Sequence, residues 1–305
     1  MKILIIGGGG FLGYNLAKIM SSLDHDVSII DKATKKSNLS VNYIQADIFD
    51  NNKLIKALKN IDIIYYLACT SNPIISWENP LKGIQENVTP TINVFIKAVE
   101  SGVKKIVFPS SGGTVYGKQK YLINEKNPPQ PFSPYAIEKI AIEYYLNYFK
   151  EKNSIAYDVY RIANMYGKNQ PIKKGLGVIG IWMNSILNDK TINLYGDKET
   201  KRDYVYVEDV AYLMTHSLKD ITSSDTYNIG TGNGKSIINL LNIFKKVINR
   251  SFKVNIIPRR FSDNQSAVLN SKKLLKYFPD FKYQKVEDKI YELWTELIKD
   301  KVNEI

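Results

Sequence analysis

Cysteine and histidine are almost missing from this chain: 305 residues hold one cysteine, Cys69, and two histidines, His25 and His216. A single thiol builds neither a disulfide framework nor a thiolate cluster, and two histidines leave little to ligate zinc. Long apolar runs are missing too, since none approaches the roughly 20 residues that cross a bilayer as a helix. The opening stretch Met1-Lys2-Ile3-Leu4-Ile5-Ile6 runs straight into glycines. It lacks the apolar length and the cleavage site of a secretory leader, so a cytoplasmic location is expected. There is no internal repeat, no low-complexity linker and no basic block of five or more residues. That last absence matters because the net charge is +12. Scattered lysines argue for a solvated basic surface rather than a nucleic-acid footprint. Neither nucleic acid nor membrane is therefore expected as a partner, while a small polyanionic substrate would suit such a surface. The 44% hydrophobic and 24% charged fractions are ordinary for a globular protein. The length suits one large domain or two closely joined ones.

What is present is an alternation of strands and helices. Strand-like runs cover Lys2–Ile6, Asp26–Ile30, Val41–Gln45, Asp62–Leu67, Lys105–Pro109 and Ala156–Arg161. Helical spacing covers Leu12–Met20, Lys53–Leu58, Gly83–Glu100 and Tyr135–Lys150. The pattern predicts an α/β fold, a Rossmann-type doubly wound parallel sheet. After about Gly167 the order changes, with loops expected at Lys168–Gly177 and Lys198–Arg202. Residues 1–167 are expected to form the dinucleotide-binding domain, with some returns from the later chain. Residues 168–305 are expected to form mainly a smaller mixed α/β substrate-binding region.

Two motifs carry chemistry. Gly7, Gly10 and Gly13 follow the first strand and open the first helix around Phe11 and Leu12. Glycines permit the tight turn and let backbone N–H groups and the helix N-terminus approach a pyrophosphate. Asp31 ends the second strand about 20 residues on, where a carboxylate pairs with both hydroxyls of an adenosine ribose and repels a 2′-phosphate. NAD is therefore expected over NADP, although Lys32, with Lys35 and Lys36, weakens the discrimination. Asp47, followed by Ile48, ends the next strand and faces the adenine edge in this reading. The second motif is Ser133-Pro134-Tyr135-Ala136-Ile137-Glu138-Lys139. Ser133 caps a helix and Pro134 suits its first position. Tyr135 and Lys139, four apart, share a face. A lysine ammonium one turn away, like an oxidised nicotinamide ring, favours the phenolate of a group whose free pKa is about 10. Tyr135 could then take a proton from a sugar hydroxyl or return one to a ketone.

Further segments complete a longer pattern: Leu67-Ala68-Cys69, Asn87-Val88, Ser110-Ser111-Gly112-Gly113-Thr114-Val115-Tyr116-Gly117 and Arg161-Ile162-Ala163-Asn164-Met165-Tyr166-Gly167. Later come Tyr195-Gly196-Asp197, Arg202-Asp203-Tyr204-Val205-Tyr206-Val207-Glu208-Asp209-Val210-Ala211 and Arg259-Arg260-Phe261-Ser262-Asp263. In this order, over almost the whole chain, they resemble the extended short-chain dehydrogenase/reductase family in its sugar-nucleotide epimerase/dehydratase branch. The resemblance implies that Leu67, Ala68, Cys69 and Asn87 line the cofactor groove and that Lys139 also bonds the nicotinamide ribose. It implies that Asn164 and Arg202 hold the substrate diphosphate, and that Tyr195, Arg260 and Asp263 contact its nucleoside end. Arginine's planar fork suits phosphate.

Two positions depart from the family pattern. A Ser or Thr usually stands four residues before the tyrosine of Val-Tyr-Gly, where this chain has Gly112, leaving Ser111 and Thr114 as substitutes beside the sugar. The acid–base pair that dehydratases use for water elimination is replaced by Gly113 and Thr114. The expected activity is a nucleotide-sugar 4-epimerase using NAD and a transient 4-keto intermediate. A one-way 4-keto-deoxysugar reductase using NADH or NADPH is the alternative, and a non-catalytic NAD sensor stands behind both. The helices at Gly83–Glu100 and Tyr135–Lys150 carry apolar residues on more than one face, including Ile140, Tyr144 and Tyr148, and the resemblance implies that they pair across a two-fold axis into a homodimer.

Overall fold

The computed structural model describes residues 1–34, 39–119, 122–171, 177–195, 200–257 and 266–303. Its first half alternates β1 (Lys2–Ile6), α1 (Phe11–Ser22), β2 (Asp26–Asp31), β3 (Asn42–Gln45), α2 (Asn51–Leu58) and β4 (Ile63–Tyr66). Then come α3 (Pro73–Glu78), α4 (Pro80–Gly83), a π-turn (Ile84–Val88), α5 (Thr89–Glu100), β5 (Lys105–Ser111), α6 (Pro134–Asn153) and β6 (Ala156–Ile162). The later chain holds β7 (Asn164–Tyr166), α7 (Val178–Leu187), β8 (Ile192–Tyr195), β9 (Lys201–Arg202), β10 (Tyr204–Tyr206) and α8 (Val207–Met214). It closes with β11 (Asp225–Ile229), β12 (Lys235–Ser236), α9 (Ile237–Val247), β13 (Val254–Ile257), α10 (Lys272–Leu275) and α11 (Val286–Asn303).

Seven parallel strands form the central sheet in the order β11-β6-β5-β4-β1-β2-β3. The central strands are covered on both faces, which is why β1 and β4 read as unbroken apolar runs. Ile3 and Ile5 of β1 face α1 and α8, in a core with Leu16, Met20, Val210 and Met214. Leu4 and Ile6 face the opposite way, against Leu54, Phe95, Leu146 and Phe149. A third core, around Trp182, Phe244, Ile290 and Trp294, binds α7, α9 and α11 into the smaller mixed region. The last sheet strand, β11, comes from this later chain and pairs with β6 from Asp225↔Asp158 to Ile229↔Ile162. Strand order reverses at β1, between β2 and β4, and in such sheets ligands bind beyond the carboxyl ends of the strands at that point.

Three local departures from the sequence reading have physical causes. The helix expected over Gly83–Glu100 is divided into α4, the π-turn and α5. Pro90 sits in the first turn of α5 and has no N–H to reach back to Glu86, so the ladder widens there. β5 runs two residues beyond the expected Pro109, because β6 pairs along it to Ser111↔Ile162. Lys201–Arg202, expected in a loop, is instead a short strand paired antiparallel with Lys235–Ser236.

Candidate active site

The glycine turn lies at the carboxyl end of β1. Gly7 has φ +83°, and a Cβ there would come within 2.7 Å of the Ala68 nitrogen, so only glycine lets this turn pack on the Leu67–Ala68 backbone. A Cβ on Gly13 would lie 2.5 Å from the Gly8 Cα, which fixes how closely α1 approaches the turn. Gly10 is the N-cap of α1, and among the described residues no side chain caps that end and no acid occupies its first turn. The first intrahelical bond runs from the Tyr14 N–H to the Gly10 carbonyl at 3.0 Å. The N–H groups of Phe11, Leu12 and Gly13 precede it and so lack intrahelical acceptors. This cradle fits a pyrophosphate. Asp31 ends β2 beside it, accepting from the Gly9 N–H at 2.9 Å and the Ala33 N–H at 2.9 Å. Each oxygen keeps a further lone pair for a ribose hydroxyl. Lys32 is exposed, and Lys35 and Lys36 lie outside the described residues. Asp47 is exposed and its carboxylate accepts from the Phe49 N–H at 3.1 Å, closing a turn beside half-buried Ile48.

Leu67, Ala68 and Cys69 leave β4 along the same edge, the first two half-buried and Cys69 exposed. Asn87 is buried in the π-turn. Its oxygen accepts from the Thr70 N–H at 2.8 Å, and its Nδ2 donates to Glu138 at 3.0 Å. Its amide therefore knits the loop after β4 to α6.

Tyr135 and Lys139 enter from α6. The Ser133 hydroxyl accepts from the Ala136 N–H at 3.3 Å, and Pro134 occupies the first turn. Lys139 is buried, donates to the Pro109 carbonyl at 3.3 Å and lies 5.7 Å from the Tyr135 ring centroid. Burial raises the Tyr135 pKa; Lys139 pulls it back and Cys69 pushes it up, while a hydrogen bond from Ser111 lowers it and Glu138 raises it, leaving it above the usual phenol value. The charge of Lys139 opposes the rise, but desolvation outweighs it. Burial pulls Lys139 down, yet Cys69, Tyr135, Glu138 and Glu143 together hold its pKa above the usual value.

The Gly112 departure resolves structurally. A Cβ on Gly112 would meet the Leu269 side chain at 2.4 Å and the Arg161 carbonyl oxygen at 2.9 Å. No side chain fits there, and the hydroxyl within reach of Tyr135 is that of Ser111, at the end of β5. Thr114 turns away, its hydroxyl directed at the Ser111 carbonyl at 3.4 Å. Gly113 borders Asn164, whose amide is 3.9 Å from the position a Cβ would take.

On the substrate side Asn164 donates through Nδ2 to the Asp203 carbonyl at 3.0 Å, next to half-buried Arg202. Sequence reasoning gave Asp203 no role. It is fully buried and accepts from the N–H groups of Thr231 at 3.0 Å, Gly232 at 3.1 Å and Leu269 at 3.2 Å, so it ties the loop after β11 and the segment at Leu269 to the chain next to Arg202. Its place in the Arg-Asp-Tyr-Val run was the available signal. Glu138, between the paired Tyr135 and Lys139, was also missed. Tyr195 ends β8, paired with Ile257, and Arg260 and Asp263 lie outside the described residues.

Comparison with known proteins agrees with this geometry. A model of the NAD dependent epimerase/dehydratase family matches residues 3–230. A UDP-glucose 4-epimerase of Lactobacillus helveticus is 30% identical over 320 residues, spanning 96% of each chain. A dTDP-4-dehydro-6-deoxyglucose reductase of Escherichia coli is 33% identical over 262 residues, spanning 81% of this chain and 82% of its own. A crystal structure of UDP-glucose 4-epimerase from Thermotoga maritima with UDP-glucose superposes with TM-score 0.91 at 27% identity, covering 99% of this chain and 100% of the other.

Proposed function

The chain belongs to the NAD dependent epimerase/dehydratase family, an enzyme with NAD as its cofactor, and from that premise we propose that it interconverts nucleotide-diphosphate sugars epimeric at C4. One observation carries the reading: Tyr135, Lys139 and Ser111 converge at the carboxyl end of β5, on the same sheet edge as the glycine turn after β1. Tyr135 takes the proton of the C4 hydroxyl and returns it once the 4-keto sugar has turned over in the cleft. Lys139 holds positive charge under the phenol, and Ser111 donates to its oxygen. Bound NAD supplies the hydride acceptor and a positive ring that favours the phenolate. Asn164 and Arg202 grip the diphosphate while the sugar rotates, and Tyr195, Arg260 and Asp263 hold the nucleoside. Residues 1–167, completed by β11, carry the cofactor, and residues 168–305 supply most of the sugar-nucleotide contacts. Gly113 and Thr114 stand where water elimination would need an acid and a base, which argues against a dehydratase.

The reductase name of the E. coli relative favours a second reading. A one-way 4-keto reductase would use the same residues but consume one reduced cofactor per product. Purified protein should convert UDP-galactose to UDP-glucose, read by NMR, with no cofactor added beyond what it carries. A strict need for stoichiometric NADH or NADPH would move the assignment to the reductase. UDP-, dTDP-, GDP- and CDP-sugars compared side by side identify the nucleotide. Tyr135→Phe should lose about 10²–10⁴-fold in turnover while still binding NAD and the sugar nucleotide, as removal of a general acid–base group does. Near-normal turnover in that variant would overturn the proton-transfer role.

A further inference from the structure

Glu138 lies between the two catalytic residues, and the reaction described above gives it nothing to do. It is only 4% exposed. Its Oε2 accepts from the Ser71 hydroxyl at 2.7 Å and from Asn87 Nδ2 at 3.0 Å. Its Oε1 has no hydrogen-bond partner among the described residues. That oxygen fits only because position 83 is glycine, where a Cβ would stand 1.8 Å from it. Asn87 passes the connection on, accepting from the N–H and hydroxyl of Thr70 at 2.8 and 3.0 Å. One carboxylate thus joins α6 to both the loop after β4 and the π-turn. A glutamine could make the same bonds without the cost of burying a charge, so the charge itself calls for a reason.

We propose that Glu138 is a positioning residue of the proton-transfer site. It clamps the Thr70–Ser71 loop and Asn87 onto the catalytic helix. It also keeps a negative charge beside the pair, so that Lys139 stays an ammonium and Tyr135 stays a phenol until the cleft is filled. The inference rests on the epimerase reading for its place in the reaction. The charged and titratable groups around it are Tyr135, Lys139 and Glu143 on its own helix, Cys69 on the loop and Glu86 on the π-turn. Among these, Cys69 and then, more weakly, Glu138 push the pKa values of both Tyr135 and Lys139 upward, and of the two only Glu138 is also bonded to the Ser71 hydroxyl and to Asn87.

Two variants separate charge from position in NAD-loaded protein. Glu138→Gln keeps an acceptor of the same reach and removes the charge. Glu138→Asp keeps the charge and withdraws it from Ser71 and Asn87. Phenolate absorbance, taken as the difference from Tyr135→Phe in the same background, should titrate at lower pH in Glu138→Gln. Hydrogen exchange at the Thr70 amide should accelerate about tenfold or more in Glu138→Asp, as expected for losing hydrogen bonds to a charged group, and change little in Glu138→Gln. An unmoved phenolate midpoint in the first variant, or unchanged Thr70 exchange in the second, would overturn the proposal. Both readouts are independent of turnover. If both shifts occur in a chain that does not epimerise sugars, the reaction assignment falls and Glu138 stands. Normal epimerisation with neither shift has the opposite meaning.

Discussion

Ser111 hydrogen-bonds the phenol of Tyr135, while crowding leaves no room for a side chain at Gly112. Leu269 fills the space a side chain would need there, while Thr114 bonds back to the Ser111 carbonyl. Ser111→Ala should therefore slow turnover by about 10- to 100-fold, the worth of a hydrogen bond to a charged group, with KM little changed. Thr114→Val should leave kcat near normal. Equal losses in the two variants would remove the assignment. Both hydroxyls were visible as candidates in the sequence. Choosing between them required the hydrogen bond to Tyr135, which only the fold supplies. His216 gives a second test at this scale. Burial first, then Lys219 and Lys105, hold its pKa down to about 4 against an ordinary 6.5. The unfolded chain then binds the proton more tightly, so this stability is complete above pH 6.5 and is lost as pH falls toward about 4. The ring packs against Tyr277 at 4.1 Å between centroids. His216→Phe should keep that packing and flatten the acid side of the stability–pH curve, measured by urea unfolding across this range. A curve as steep as the parent's would show that His216 does not set it.

At the level of elements, the central strands β1 and β4 follow from sequence because each is buried on both faces and reads as an apolar run. Their cross-links do not. Lys105 of β5 pairs with Asp158 of β6 at 2.7 Å, with the side chains 1% and 2% exposed. Ser217 donates to the same carboxylate at 2.6 Å, and Lys105 also reaches the Asp220 carbonyl at 2.8 Å. Burial pushes Asp158 up to about 6 against the opposing pull of Lys105. Asp158→Ala would leave a buried ammonium without its partner, at a cost of about 3–5 kcal/mol. Denaturant unfolding would read it, and Lys105→Met in the same chain should recover much of the loss. A loss below about 1 kcal/mol in the single variant would mean that water or the Asp220 carbonyl already satisfies the lysine. The division of the expected helix at Gly83–Glu100 belongs to the same scale. Pro90 was plain in the sequence, but the buried bonds of Asn87 to Thr70 and Glu138 show what the widened turn is for.

For the whole molecule, assembly is the property a single chain leaves open. Ile140, one of the apolar residues noted on α6, is buried within the monomer at 8% exposure. Ile137, Tyr144 and Tyr148 of α6 stand out at 54%, 69% and 47%, with Ile96 of α5 at 39%. Spaced by seven and four residues, the three on α6 form one stripe, and an exposed apolar stripe of this kind marks a contact surface. A homodimer through α5 and α6 is the expected outcome. Sedimentation at micromolar concentration should give twice the mass of the 34.8 kDa chain, and Tyr144→Glu with Tyr148→Glu should return it to one. A parent protein that sediments as a single chain would refute it. The sequence by itself determined the strand–helix alternation, the glycine turn, Asp31 and the Tyr135/Lys139 pair. These are local signals: periodicity, turn chemistry and the four-residue spacing of one helix face. Tertiary structure alone decided what those signals meet. The return of β11 to complete the sheet, the place of Ser111, the convergence of loops on Asp203 and the burial of Glu138 against Gly83 all join segments distant in the chain. Desolvation belongs with them, since the groups that set the Tyr135 pKa come from the loop after β4, from β5 and from α6 together, and no short stretch of sequence encodes that environment.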